Sequence, residues 1–284
     1  MHEARRIWFI NNAASGSNDV ALLAECEKLC GQNALTIAHR TSFPEQELPT
    51  PDVLDAAGID LVTIYAGDGT VNATLHALAG WSGAVLVLPG GTMNLFYHRL
   101  FGKAELAEVL MAVAAGEAQP RRPAIISAPC GNAYAGLLAG PGTAWNDVRE
   151  AMRSKDPLQM ASGAQAALAE TLFGDMLACE EPPLGRRDGY PLLLLTPTEA
   201  GIVVEAYHAE TASEYLEQAA ALARRDFRNG PHERLGTARS LTLANVAGGN
   251  FGVLVDGEPC EVDGPTRFAL VECDVHLLAT VADA

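Results

Sequence analysis

The sequence predicts an α/β protein: a doubly wound parallel-sheet domain at the N-terminus, followed by a β-rich, antiparallel and sandwich-like domain. Three observations predict it. Apolar runs alternate with amphipathic helical patterns over the first 115 or so residues. The strand runs there are continuously apolar, as in sheets covered on both faces. Beyond Gln119-Pro120-Arg121-Arg122-Pro123 the pattern changes to short runs separated by turns.

Arg5 to Ile10 reads as the first strand, and Asp19 to Cys30 as an amphipathic helix with Asn18 or Asp19 as N-cap. Leu35 to Ala38 is a second strand. Ile59 to Tyr65 is a third, leading into a helix over Val71 to Leu78. Ala84 to Leu88 is a fourth strand that ends at Pro89-Gly90-Gly91, and a helix over Ala104 to Ala115 closes the series. Residues 119–123 read as a linker, because two prolines disfavour a continuing helix. Residues 145–178 look helical with loops, Leu192 to Thr196 is strand-like, and a long helix is expected from Ala212 to Asp226. Leu241 to Asn245, Phe251 to Asp256, Phe268 to Glu272 and His276 to Thr280 then suggest an antiparallel sheet. The expected division is residues 1–122 and 123–284, with the C-terminal end packing back on the first domain as one option.

Composition excludes several classes. With 284 residues, 49% hydrophobic content and a mean hydropathy of +0.09, the chain has the makings of a well-buried core. No apolar run approaches the roughly 20 residues needed to span a bilayer. The first apolar run, Ile7 to Ile10, is shorter than the roughly 7–15 residues of a secretory core. The six cysteines show neither metal-ligand nor disulfide-framework spacing; Cys26 and Cys30, four apart in a helical pattern, read as packing residues. A cytoplasmic protein is expected, with at most transient membrane association. The net charge of −16 argues against nucleic acid, whose binding rests on phosphate neutralisation, and against strong adsorption to an anionic membrane. The arginine pairs at 121–122, 186–187 and 224–225 read as solvated loop and helix-end residues.

Three loops carry the chemistry. Tyr65-Ala66-Gly67-Asp68-Gly69-Thr70-Val71-Asn72 follows the third strand and runs straight into a helix. Glycines allow close backbone approach, and a helix N-terminus offers free N–H donors to an anion. A carboxylate embedded there would repel bare phosphate, so it points to a cation between them and hence to a magnesium-nucleotide. Asn11-Asn12-Ala13-Ala14-Ser15-Gly16-Ser17 follows the first strand with small and hydroxyl side chains, and Pro89-Gly90-Gly91-Thr92-Met93-Asn94 repeats the device after the fourth. Ligands of such sheets sit beyond the carboxyl ends of the strands, where all three loops fall. A G-x-x-x-x-G-K-[ST] loop is absent, as is G-x-G-x-x-G after the first strand, which disfavours P-loop and dinucleotide binders.

These residues together resemble the diacylglycerol kinase catalytic-domain family, in particular its soluble bacterial, diacylglycerol- or sphingosine-kinase-like members. The family's G-G-D-G-T-x-N signature corresponds to Ala66 to Asn72, its N-P-x-S-G loop to Asn11 to Gly16, and its P-x-G-T-x-N segment to Pro89 to Asn94. Thr41 matches the family threonine after the second strand, and Asp256-Gly257-Glu258 matches its D-G-E. Three departures stand out: Asn12 for proline, Ala66 for the first glycine, and Leu95 where many members carry Asp. The resemblance implies an active site in the cleft between the two domains and an ATP- and Mg2+-dependent transfer of phosphate to a lipid hydroxyl. It implies nucleotide contacts from Asn11, Ser15, Gly16, Thr41, Ala66, Gly67, Asp68, Gly69, Thr70, Asn72, Gly91, Thr92 and Asn94. Asp68 would act on the phosphates through the metal, with Glu258 as the base that deprotonates the acceptor. The implied partner is a lipid at a membrane surface; the oligomeric state is open, a homodimer being one option. A structural metal in the second domain is not expected, since Ala200-Gly201 stands where many members have Asp-Gly. Without the family, Asp256-Gly257 is a hairpin turn and Glu258 a surface acid. The alternatives are a NAD kinase, which shares G-G-D-G, and a nucleotide- or lipid-binding regulator without turnover.

Overall fold

Residues Arg5–Asn11 form β1, whose Ile7, Phe9 and Ile10 are completely buried. The structure, a computed structural model, describes residues 5–12, 20–91, 94–140, 176–207 and 232–281. The expected helices over 145–178 and 212–226 therefore lie almost wholly outside the described residues. The chain divides into two compact units, one of Met1–Ala124 with Glu272–Ala284 and one of Ile125–Val271.

In the first unit, α1 (Val20–Gln32) returns the chain to β2 (Leu35–Ser42), which pairs parallel to β1. Cys26 and Cys30 lie one turn apart on α1 and are fully buried free thiols. α2 (Pro51–Ala56) opens on a proline, tolerated in a first turn because its missing N–H has no intrahelical partner there. It leads to β3 (Leu61–Ala66), on the other side of β1. The sheet order thus reverses between β1 and β3, and an open α/β sheet has its binding crevice at such a reversal. α3 (Asp68–Ala77) and β4 (Ala84–Pro89) follow, with β3 buried along its whole length. α4 (Leu95–Phe101) and α5 (Leu106–Ala114) come next. α4 is absent from the sequence-based element series, and the cause is visible: its N-terminus is capped by a carboxylate from far upstream, as described below.

Two expectations are corrected here. Gln119-Pro120-Arg121 is not a linker but a strand, β5 (Gln119–Arg121). It lies at the sheet edge, where a proline's missing donor costs no ladder bond. The run from His276, expected in an antiparallel sheet, instead forms β17 (His276–Ala279), which enters the first sheet parallel to β4 and antiparallel to β5. The sheet order is β2-β1-β3-β4-β17-β5.

In the second unit, β6 (Ala124–Ala128) and β7 (Gly131–Ala133) form a hairpin around Pro129-Cys130. β8 (Leu137–Gly140), β9 (Leu177–Glu181), β10 (Leu192–Thr198), β11 (Gly201–Tyr207), β12 (His232–Ala238) and β13 (Ser240–Asn245) follow. β14 (Phe251–Val255), β15 (Glu258–Val262) and β16 (Thr266–Glu272) complete the set. They make a six-stranded sheet, β12-β11-β10-β8-β14-β15, and a five-stranded one, β7-β6-β16-β13-β9. β10 alternates buried and half-buried residues, the mark of a strand with one face on a core. Ile126, Leu193, Leu195, Val204, Leu243, Val253 and Phe268 belong to that core. A disulfide joins Cys130 to Cys260, although the cysteine spacing shows no disulfide framework. The partners are 130 residues apart, so no local spacing announces the pair.

Candidate functional site

β1, β3 and β4 each end in a short polar or glycine-rich segment, and the parallel register brings these ends together. Asn11 stands level with Tyr65, and Ala66 with Pro89. The glycines serve close approach rather than unusual dihedrals: Gly67, Gly90 and Gly91 all lack positive φ. A Cβ on Gly90 would come within 2.5 Å of the Ala66 nitrogen, and one on Gly91 within 2.5 Å of the Gly67 Cα. The 65–67 and 90–91 segments are thus stacked backbone on backbone. Ala66 itself is the last residue of β3, buried and with ordinary φ, so alanine in place of glycine is tolerated there.

Asp68 occupies the first turn of α3 but caps α4. Its Oδ2 accepts the Leu95 N–H at 3.2 Å and its Oδ1 the Phe96 N–H at 3.2 Å. Two of the N–H groups that a helix start leaves without intrahelical partners are satisfied in this way. Burial pushes the Asp68 pKa above the usual carboxylate range, outweighing the Phe96 and Leu95 N–H donors and the nearby His98. Between the two loops, Asn94 adopts a left-handed conformation with φ 50°. Its Oδ1 accepts the Gly91 N–H at 2.7 Å, and its Nδ2 donates to the Gly91 carbonyl at 2.9 Å. Asn94 thereby closes its own turn.

On the other side of the sheet reversal, the Asn12 Nδ2 donates to the Thr70 Oγ1 at 3.0 Å, tying the end of β1 to α3. Sequence reasoning noted Asn12 only as a departure from proline; a proline carries no amide to make this bond. Thr70 is buried, and its carbonyl accepts the Thr74 hydroxyl at 2.8 Å. The Asn11 carbonyl accepts the Phe43 N–H at 2.8 Å, joining β1 to the segment after β2. Thr41, one residue earlier in register, is buried with its hydroxyl accepting the Trp8 indole N–H at 2.9 Å. Asn11, Thr41, Ala66, Gly67, Asp68, Gly69, Thr70, Asn72, Gly91 and Asn94 thus belong to one edge of the first unit and the start of α3. Ser15, Gly16 and Thr92 lie outside the described residues.

Glu258 belongs to the second unit. Asp256 and Gly257, with φ of 50° and 88°, form the two-residue turn between β14 and β15, and both positive values are the type I′ signature. Glu258 is exposed at the first position of β15, opposite Val255. Sequence reasoning missed what Asp256 does. Its buried carboxylate accepts the N–H groups of Tyr134 at 2.7 Å, Ala135 at 2.8 Å and Gly136 at 3.0 Å, and its own N–H returns to the Gly136 carbonyl at 3.1 Å. The acid therefore locks the hairpin to the loop between β7 and β8.

A divalent cation is compatible with Asp68 as an oxygen ligand: its two carboxylate oxygens accept the Leu95 and Phe96 N–H groups, and carboxylate oxygens offer more than one lone pair each. No cluster of three or more His, Cys, Asp or Glu suited to a metal occurs among the described residues. A metal here would take its other ligands from water and phosphate, as Mg2+ does in nucleotide sites.

Two solved structures from Bacillus anthracis str. Sterne are similar to the chain, each described as a diacylglycerol kinase, one of them provisionally. One has a TM-score of 0.63 at 14% identity and covers 99% of both chains. The other has a TM-score of 0.62 at 14% identity and covers 97% of both chains. At such identity the likeness establishes the fold. No curated protein sequence matches the chain. The sequence model of the diacylglycerol kinase catalytic domain matches residues 6–156, which takes in the loops after β1, β3 and β4 and more than half of the chain. By that match the chain belongs to the diacylglycerol kinase catalytic domain family.

Proposed function

We propose that the protein transfers the γ-phosphate of ATP to a hydroxyl of a diacylglycerol-like lipid. The observation that carries this reading is the convergence of the Asp68 carboxylate with two closely packed glycine turns at the carboxyl ends of the parallel strands. Family membership and the fold shared with the Bacillus structures support it. Phosphoryl transfer is mostly positioning and electrostatics, and the parts on hand suit that demand. The 65–67 and 90–91 backbones pack directly on each other, which fixes the loop that opens α3, and the free N–H groups of that helix start would serve as phosphate donors. Asp68 would hold Mg2+, which when bound neutralises charge on the phosphates. Glu258 would accept the proton of the lipid hydroxyl as its oxygen bonds to the γ-phosphorus and the bond to ADP breaks. Locked by Asp256, the hairpin holds that carboxylate at a fixed point of the second unit.

The test is transfer of labelled phosphate from ATP across a panel of lipid alcohols, with NAD as a further acceptor. Transfer to a lipid is expected, abolished in Asp68→Asn and reduced about 10²–10⁴-fold in Glu258→Gln. ATP binding without transfer to any acceptor points to the non-catalytic regulator, and transfer to NAD alone points to the NAD kinase. An unchanged rate in Glu258→Gln removes that residue from the role of base.

A further inference from the structure

Among the described residues β15 is an edge strand, paired with β14, and it carries Glu258 at its exposed first position. Successive strand residues face opposite ways, so Glu258, Cys260 and Val262 share one face. Val262 is buried in the core, Cys260 is half-buried, and Glu258 emerges where that row leaves the core. Cys260 is bonded to Cys130, in the turn of the β6–β7 hairpin. β7 is itself the edge of the other sheet. The bond therefore ties two sheet edges together, two residues from the carboxylate. On the turn side of Glu258, Asp256 supplies the second anchor through its three backbone N–H groups.

We propose that Cys130 and Cys260 are positioning residues: their disulfide holds the start of β15, and with it Glu258, so that turnover depends on the thiol–disulfide state of this one pair. The role of Glu258 is taken from the function proposed above. Cys130 is exposed, so a thiol reductant in solution can reach its sulfur, whereas the four other cysteines are buried free thiols with nothing to reduce. A small dithiol would open it in two steps. One of its thiolates attacks the Cys130 Sγ and expels Cys260 as a thiolate. Its second thiol then displaces Cys130 and closes the reagent into a cyclic disulfide. Two electrons pass to the protein, which gains two thiols. Reduction removes the covalent tie between the middle of β15 and the β6–β7 turn, so that the start of the strand depends on its non-covalent supports, among them β14, the Asp256 lock and the packing of Val262.

The experiment compares the oxidised full chain with the same chain treated with dithiothreitol. Thiol titration in denaturant should find four thiols before treatment and six after it. Amide exchange should rise about tenfold or more in β15 and much less in β10 and β11. The kcat for phosphate transfer should fall several-fold with the KM for ATP unchanged, and both should recover on reoxidation. Cys260→Ser should behave like the reduced chain and ignore dithiothreitol. If that variant fails to fold, Cys130→Ser, at an exposed turn, breaks the same bond. Six thiols at the outset, or equal acceleration of exchange in both sheets, overturns the tether. Faster exchange in β15 with an unchanged kcat overturns the positioning role. A redox-dependent β15 in a protein that transfers no phosphate in either state keeps the tether and sinks the kinase reading instead.

Discussion

In the proposed role the Asp68 carboxylate would be pulled two ways: it would have to be ionised to hold a cation, whereas burial favours its protonated form. The sign of the pH effect follows. A folded-state pKa above the unfolded value means that the folded protein holds this proton more tightly, so stability falls as pH rises through that window. The penalty is fully present at neutral pH and relieved on acidification. Asp68→Asn should therefore gain stability relative to the unsubstituted protein as pH rises from 4 to 7, measured as urea midpoints in the absence of nucleotide. A gap that is flat, or that moves the other way, would mean that the Leu95 and Phe96 donors outweigh the cost of burial. The neighbouring glycines give a second test. A Cβ on Gly91 meets backbone at 2.5 Å, whereas one on Gly67 finds its nearest neighbour at 3.5 Å. Gly91→Ala should cost about 1–3 kcal/mol and weaken ATP binding. Gly67→Ala should stay within about 0.5 kcal/mol. Chemical denaturation and calorimetry of the pair check the asymmetry, and equal costs would refute the stacked-loop account.

At the scale of elements, several parts are held by residues distant in sequence. α4 is seven residues long and takes its cap from Asp68, 27 and 28 positions upstream of its donors. The loop between β7 and β8 takes its hydrogen bonds from Asp256, more than a hundred residues later. Asp256→Ala would strand three backbone donors that now meet a carboxylate. Charge-assisted bonds of this kind contribute about 1.5–3 kcal/mol each, partly offset by hydration of the freed groups. A net loss of about 3 kcal/mol or more is expected from urea unfolding, with β8 and β14 the first strands to lose amide protection. A loss below about 1 kcal/mol would show that water replaces the carboxylate. Long-range supports of this kind explain what the sequence conceals. β3 and β4 were legible because unbroken burial writes an unbroken apolar run. α4, β5 and the Cys130–Cys260 bond were not, because each depends on a partner that no local window contains. The same division runs through the candidate site. The glycines and Asp68 advertise themselves as a motif, while the amide of Asn12 on Thr70 and the lock made by Asp256 become visible only once the strands are aligned.

At the scale of the whole molecule, the acidic chain has no helix among the described residues long and apolar enough to cross a membrane. The fate of the disulfide depends on surroundings: such bonds persist in oxidising compartments and are transient in reducing ones. The same covalent feature is a permanent staple in the first setting and a sensor in the second. The return of β17 into the first sheet has a consequence of another kind. β4 and β5 are separated by a strand that the ribosome delivers only after the entire second unit has been made. Until then, the buried edge of β4 has no permanent neighbour, and an open apolar strand edge is a template for the wrong partner. Domains generally fold in order of synthesis, but these two units invert that order: the one that is begun before the other is finished after it.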